Sequence, residues 1–450
     1  MATALIILAA GKGTRMMSDL PKVLHPVAQA PLLWHAMRAG AALDPALTVV
    51  VTGHGADDVA ASARAYDENV QIVHQAEQLG TGHAVDQARD ALDGFDGDVI
   101  VLYGDTPFIS SDTLARMAAA RATHDIVVLG FDAADPGRYG RLMMDGDSLL
   151  RIVEFKDATD EERAITLCNS GVIAADCKTL FSLLSVITND NASGEYYLTD
   201  TPALAAARGL TATAVTCPEA ETLGVNSRAD LAAAEATYQA RTRAAMLEAG
   251  VTLTAPDTVH FAFDTVIGRD ALIEPNVVFG PGTTIETGAT IRAFSHVEGA
   301  HVSRGAFVGP YARLRPGAEL AEDTRVGNFC EIKNAEIAEG AKVNHLTYIG
   351  DASIGARTNV GAGTITCNYD GVFKHRTTVG EDAFIGSNTM LVAPVTVGDR
   401  AMTGSGSVVT KDVDADAMAL ARAPQVNKPG LATRLMTRLR KLKQNMKETG

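Results

Sequence analysis

Val308-Gly-Pro-Tyr-Ala-Arg-Leu314-Arg-Pro-Gly-Ala-Glu-Leu320-Ala-Glu-Asp-Thr-Arg-Val326-Gly-Asn-Phe-Cys-Glu-Ile332 places an aliphatic residue at every sixth position. The step runs outward in both directions. Ile267, Ile273, Phe279, Ile285, Ile291 and Val297 precede it, joined through a five-residue step to Val302. Ile337, Val343, Ile349, Ile354 and Val360 follow, and Val379, Ile385, Leu391, Val397, Thr403 and Val409 resume after a break. Gly often comes directly after the aliphatic, as at Gly268, Gly327 and Gly386, and a small residue such as Ala271, Thr324 or Cys330 sits four places after it. Six residues make one short strand and a corner, and three sides close a coil. The pattern predicts a triangular parallel β-helix of about eight coils, with aliphatics along the axis and small residues at the corners. The general crossover rule favours a right-handed turn. Residues 365–376 leave the coil as a loop, a place where rigid scaffolds carry function.

Upstream the character changes. Apolar runs at Leu5–Ala10, Leu47–Thr52, Asp98–Tyr103 and Ile126–Phe131 alternate with helical patterns at Pro31–Leu43, Gly82–Leu92 and Asp112–Ala122. That alternation predicts parallel strands with helices on both faces, an α/β Rossmann-like domain. The expected domains are 1–227, a linker helix at 228–249 that is Ala-rich and lacks Gly, a β-helix at 250–427, and a basic tail at 428–450. The tail holds seven Lys or Arg and one acidic residue, which reads as a solvated basic helix.

Composition sets limits. The chain has 450 residues, 46% hydrophobic and 21% charged, with a formal net charge of −15, so it is globular and is not a basic nucleic-acid binder. No apolar run reaches membrane-spanning length, and no membrane partner is expected. The opening Met1-Ala-Thr-Ala-Leu-Ile-Ile-Leu-Ala-Ala10 reads as a first strand and not as a signal peptide. Five scattered cysteines without a Cys-x-x-Cys pair point to a reducing cytoplasm.

The first strand ends in Leu8-Ala9-Ala10-Gly11-Lys12-Gly13-Thr14-Arg15-Met16. Small residues let backbone N–H groups approach an anion, and Lys12 and Arg15 add charge. The spacing is neither a P-loop nor the dinucleotide fingerprint, because Met16 stands where the third Gly belongs. Pro21-Lys22-Val23 places a cation just after. A second Gly-rich turn, Gln75-Ala-Glu-Gln-Leu-Gly80-Thr81-Gly82, opens a helix. Tyr103-Gly104-Asp105 ends a strand with a carboxylate at the edge where open parallel sheets bind ligands. Beside a phosphate cradle, Asp105 suits Mg²⁺, which takes one or two carboxylates plus phosphate oxygens.

In the repeat, Arg315 and Lys333 fall one coil apart at the same lateral position, with Glu298 a coil earlier. Like charges stacked about 4.8 Å apart favour an anion between them. His345, two places after inward Val343, points outward, where a neutral imidazole can take a proton from an amine. The loop at Asn368-Tyr369 is expected to fold over it.

Gly-x-Gly-Thr-Arg-Met with Pro-Lys-Val resembles the sugar-1-phosphate nucleotidyltransferase signature. Joined to the hexapeptide half, the chain from Leu8 to about Pro424 resembles the bacterial bifunctional N-acetylglucosamine-1-phosphate uridyltransferase / glucosamine-1-phosphate N-acetyltransferase family. Gln75–His83, Gly194-Glu-Tyr-Tyr-Leu-Thr-Asp200 and Gly361-Ala-Gly-Thr-Ile-Thr-Cys-Asn-Tyr-Asp-Gly371 carry the match. The resemblance implies a left-handed coil and a homotrimer with acetyl sites between subunits. It implies that Leu8, Ala9, Ala10, Gly11, Gln75, Gly80 and Thr81 hold the uridine nucleotide. Lys12, Arg15 and Lys22 would face the phosphates, with Arg15 as transition-state cation. Tyr103, Gly104, Asp105, Gly140, Glu154 and Asn169 would hold sugar and nucleotide, and Asp105 with Asn226 would bind Mg²⁺. In the acetyl half His345 would be the base. Arg315, Lys333, Tyr348 and Asn359 would bind the sugar phosphate, and Ala362, Asn368, Tyr369, Ser387, Ser405 and Arg422 the acetyl-CoA. Ser405 departs from the usual Ala. The substrates implied are glucosamine-1-phosphate, acetyl-CoA and UTP. The rival reading is a single-activity nucleotidyltransferase whose β-helix only oligomerises.

Overall fold

The structure, a computed structural model, describes residues 2–448; Met1 of the first expected domain and Thr449 and Gly450 of the basic tail lie outside them. The chain forms two compact units, Met1–Ala245 with His260–Phe263, and Met246–Val259 with Asp264–Gly450.

In the first unit, strand Ala2–Ala9 alternates its side chains between two cores. Ala4, Ile6 and Leu8 face one, and Leu5, Ile7 and Ala9 face the other. A strand buried on both faces reads as a continuous apolar run, which is why it was legible. Among the described residues the sheet order is Ala212–Thr216, Ile126–Asp132, Leu167–Asp176, Gly97–Tyr103, Ala2–Ala9, Leu47–Thr52, Gln71–His74. The expectation of parallel strands needs one correction: Leu167–Asp176 runs antiparallel to both neighbours. Strand direction leaves no mark on hydrophobic pattern, so this reversal was invisible. A hairpin of Arg141–Asp145 and Ser148–Val153 extends from it. Helix Leu32–Ala41 carries Trp34, whose indole N–H donates to Ser62 O at 3.0 Å and whose ring packs against Tyr66 and Phe263 at 5.8 and 6.3 Å. Helix Arg228–Glu248 packs on this unit: Gln239 exchanges two hydrogen bonds with the Phe261 backbone, and Glu235 accepts from Ala28 N at 2.7 Å.

In the second unit the aliphatics of the six-residue series are all buried, none more than 8% exposed. Each is worth about 1.5–3 kcal/mol in surface removed from water. Strands pair in parallel with partners 18 positions on where three six-residue sides close a coil, as Leu272 with Thr290. Partners lie 17 on where one side is short, as Thr284 with His301, and 25 on across the loop, as Asn359 with Phe384. One face stacks ten strands among the described residues, from Thr252–Leu253 to Met418–Ala419. The face outruns the expected coils because both of these strands lie beyond the repeat.

The glycines after the aliphatics serve close stacking. A Cβ on Gly268 would lie 2.6 Å from Thr287 N on the next coil, and one on Gly386 would lie 2.5 Å from Thr403 O. The small residues are buried inside the coil, and the turning points are left-handed backbone positions held by larger residues too. Phe294, Tyr311, Phe329 and Leu346 have φ of 61, 55, 55 and 51°. The first three rings stack from coil to coil, with centroids 4.9 and 5.2 Å apart, and all are about half exposed.

Candidate active sites

In the first unit a cavity of about 280 Å³ opens at the carboxyl ends of Ala2–Ala9 and Gly97–Tyr103. Leu8, Ala9, Ala10, Gly11, Lys22, Gln75, Gly80, Thr81, Tyr103 and Asp105 line it, with Gln78 and Glu195, which sequence reasoning did not single out. Buried Gln75 donates to Gly80 O at 3.3 Å, and Gln78 donates to Ala10 O at 3.2 Å, tying the two Gly-rich turns to one mouth. Gly80 sits at φ 112°, and a Cβ there would lie 2.6 Å from Tyr196 O, so glycine is required for the turn to close.

A second cavity of about 410 Å³ shares Thr81 and Glu195 and adds Glu154 and Arg138. Asn169 N donates to Gly140 O at 2.8 Å, and a Cβ on Gly140 would lie 3.5 Å from Glu154 Oε1, so Gly140, Glu154 and Asn169 stand together, with Glu154 Oε1 accepting from Thr199 at 3.0 Å. Burial pushes the Glu154 carboxyl above its usual range, the Thr199 hydrogen bond offsetting only part of this. Burial also pushes the Tyr103 phenol up, with the charges of Asp105 and Glu154 adding to it.

Gly104 N donates to Leu8 O at 3.0 Å, which sets Asp105 beside the first strand's end. Val225 N donates to Asp105 O at 2.9 Å and brings Asn226 alongside. The Asp105 carboxylate and the Asn226 amide oxygen, the latter at 3.1 Å, both meet the Lys22 ammonium. Two oxygens that converge on a cation fit a hard metal ion, which completes its shell from phosphate and water. Lys12 and Arg15 lie on an exposed loop outside the cavity lining, because buried Met16 anchors the turn with Arg15 on its outer side.

In the second unit the register places Arg313 against Glu331 and Leu314 against Ile332, so Arg315 and Lys333 are stacked one coil apart, with Glu298 opposite Arg315 on the coil before. Neither cation stands alone. Arg315 pairs with Glu331 at 2.8 Å and Lys333 faces Asp351 at 3.7 Å. Sequence reasoning missed both carboxylates, which lie on the coil after each cation. Their places follow from the six-residue step, and applying it to the acidic residues was the available signal. The Tyr348 hydroxyl lies over Gly350, which pairs with Lys333, so Tyr348 joins this group.

His345 is exposed, as the step requires, and its Nδ1 lies 2.9 Å from Asn328 Oδ1 on the preceding coil. An amide oxygen accepts only, so Nδ1 carries a proton, and in the neutral imidazole the lone pair is on Nε2. Backbone bonds then run along one corner. Gly363 N donates to His345 O, Asn388 N to Ala362 O, and Gly406 N to Ser387 O, at 3.1, 2.7 and 2.8 Å. Arg422 Nη1 donates to Ser405 O at 2.7 Å. His345, Ala362, Ser387, Ser405 and Arg422 thus line up along one corner on successive coils, and Asn359 stacks between Lys342 and Phe384 on the adjoining face. The loop departs from expectation. Asn368 donates to Asp351 instead of covering His345, and exposed Tyr369 turns its hydroxyl to Gly371 O at 2.5 Å. Loop conformation depends on such local partners, which spacing does not encode.

Two family models match the chain: the MobA-like NTP transferase domain over residues 5–143, and the bacterial transferase hexapeptide over residues 264–299 and 376–411. The chain is 70% identical to the bifunctional protein GlmU of Ruegeria pomeroyi over all of both chains. It is 66% identical to that of Jannaschia sp., covering 98% of this chain and 97% of the relative. Among solved structures it is similar to a UDP-glucose pyrophosphorylase complexed with UDP-glucose, at 21% identity and a TM-score of 0.45, over 54% of this chain and 100% of that one. With a nucleotidyltransferase fold in one unit, a hexapeptide coil in the other and near-full-length identity to such relatives, the chain belongs to the bifunctional GlmU family.

Proposed function

We propose that the Lys22–Asp105–Asn226 cleft performs uridyl transfer and the His345 corner performs acetyl transfer. The chain is an enzyme of UDP-N-acetylglucosamine synthesis. Acetyl passes from acetyl-CoA to the amine of glucosamine-1-phosphate. The phosphate of the product then attacks the α-phosphorus of UTP, releasing pyrophosphate.

The observation that carries the two-site reading is His345. It is exposed, its Nδ1–H is held by Asn328, and Nε2 is directed to no protein group among the described residues. Nε2 accepts a proton from the amine as nitrogen attacks the thioester carbonyl, and the coenzyme A thiolate leaves. Arg315 and Lys333 hold the sugar phosphate, with Tyr348 beside them. An inert, purely oligomerising coil would have no use for an outward imidazole of fixed tautomer.

In the cleft, backbone N–H groups of Leu8–Gly11 bind and orient the nucleotide, and Gln75, Gly80 and Thr81 close its far side. Tyr103, Gly140, Glu154 and Asn169 hold the sugar. Lys22 and Arg15 offset phosphate charge, Arg15 reaching in from the exposed loop. The enzyme uses Mg²⁺, and Asp105 and Asn226 would hold it; when bound it neutralises the charge that develops on the phosphates.

The hexapeptide repeat and the exposed Phe294–Tyr311–Phe329 stack support an oligomer, which we take to be a trimer with acetyl sites shared between subunits. Five unpaired cysteines support a cytoplasmic setting, and no helix among the described residues is long and apolar enough to cross a membrane.

Asp105→Ala should nearly abolish pyrophosphate release and spare coenzyme A release, and His345→Ala should do the reverse. Sites in separate cores act independently. EDTA should mimic Asp105→Ala. If either substitution silenced both assays in a folded protein, the assignment of one activity to each unit would fail.

A further inference from the structure

Asp351 lies where two proposed binding sets of the second unit meet. It is 8% exposed and sits at φ 48°, in strand Tyr348–Ile354. Its Oδ1 accepts from Asn334 Nδ2 at 2.6 Å, directly after Lys333 in the chain. Its Oδ2 accepts from Asn368 Nδ2, the residue that opens the loop, and lies 3.7 Å from Lys333 Nζ. The preceding Gly350 is clamped by Thr366, whose hydroxyl accepts from Gly350 N at 2.8 Å and donates to Gly350 O at 3.0 Å. A buried carboxylate without a task is expensive, and this one is fully engaged.

The distances divide the labour. Each oxygen accepts from one amide, Asn334 on one side and Asn368 on the other, so the orientation of the carboxylate beside Lys333 is fixed. At 3.7 Å, beyond hydrogen-bond reach, it attracts the ammonium electrostatically and takes none of its three N–H donors, which stay available to an anion. Arg315, gripped by Glu331 at 2.8 Å, has less to spare. Burial alone would push the Asp351 carboxyl up, but the amides of Asn334 and Asn368 and the charges of Lys333 and Lys374 prevail, so it stays ionised below the usual range.

We propose that Asp351 is a positioning residue for acetyl transfer, holding the Lys333 ammonium and the Asn368 amide in one fixed relation so that sugar phosphate and acetyl-CoA are aligned together. The proposal rests on the reading that Lys333 serves the sugar phosphate and Asn368 the acetyl-CoA. Its mark is a joint effect on two substrates from a residue that touches neither.

The test measures acetyl transfer by Asp351→Asn, Lys333→Ala and Asn368→Ala in the full-length protein, with melting temperature and uridyl transfer on the same preparations. Lys333→Ala should raise KM for glucosamine-1-phosphate, and Asn368→Ala should raise KM for acetyl-CoA. Asp351→Asn should raise both KM values roughly tenfold, the scale of a lost charged hydrogen bond, with a smaller change in kcat and uridyl transfer intact. A merely structural role would lower melting temperature and active fraction without moving either KM. If the two alanine variants behave as stated while Asp351→Asn moves one KM or neither, the positioning role is overturned. If the alanine variants leave both KM values unchanged, the underlying site reading falls, and the proposal with it. Should Asp351→Asn fail to fold, Asn334→Ala leaves the carboxylate in place with one donor fewer. It should move both KM values in the same direction, and no shift would overturn the proposal.

Discussion

Asn328 shows how a single amide can prepare an imidazole for the role proposed for it. Its Oδ1 at 2.9 Å from His345 Nδ1 decides which nitrogen is free before substrate arrives. Asn328→Ala should lower acetyl-transfer kcat by roughly 10-fold, the usual cost of losing such a partner, while both KM values change little. Asn328→Asp should keep the tautomer but place an anion beside the ring. The imidazolium is then favoured, and the acidic limb of the rate profile should move to higher pH. A profile superimposable on the parent's would remove Asn328 from the mechanism. Glu154 offers a second residue-level check. Its carboxyl is held above the usual range in the fold, so folding favours its protonated form. The stability it adds is complete below the ordinary carboxylate pKa and is lost as pH rises through the folded value. Glu154→Gln removes that loss. By calorimetry the first unit should melt about 2 °C higher than the parent at pH 7, a shift that under 1 kcal/mol provides, and the two should converge near pH 4. No pH dependence in the difference would mean that Glu154 is ionised at no cost.

At the scale of elements, the repeat was legible because one six-residue period sets burial, corner and stacking together. The aliphatics and the five-residue steps reappear as registers of 18 and 17, and the loop as one of 25, but it leaves the coil later than the expected 365, because Ile365–Cys367 is still a strand paired with Met390–Val392. What the period could not give is what Asn368 and Tyr369 do, since a loop follows its own hydrogen bonds. Nor does it give the hand of the coil: the crossover rule points to the right, and only the family resemblance supplies the left. The first sheet divides the same way. Its runs were visible, but the reversal of Leu167–Asp176 was not, because burial on both faces looks alike in either direction. Of the site, motif residues on strand ends were found, while the partners that orient them, Asn328, Glu331 and Asp351, were not. The stacking argument yields its own check. Gly386→Ala would set a Cβ 2.5 Å from Thr403 O, so coils must part. It should destabilise the coil by about 1–3 kcal/mol, read as an earlier denaturant midpoint in far-ultraviolet circular dichroism. An unchanged midpoint would show that these glycines do not govern the spacing.

For the whole molecule, the exposed aromatic stack and the repeat argue for assembly. Light scattering at micromolar concentration should return three times the chain mass, and a monomer at that concentration would rule out shared acetyl sites. The two units also differ in how they meet light. Trp34 is the chain's one tryptophan, and it sits in the first unit, hydrogen-bonded to Ser62 and packed on Tyr66 and Phe263. Excitation at the red edge of the aromatic band therefore interrogates the first unit and leaves the coil dark. The parallel strands of the coil still register in circular dichroism. Fluorescence thus follows the first unit alone while circular dichroism follows both, and a denaturant series read by the two together would report the order in which the two cores come apart.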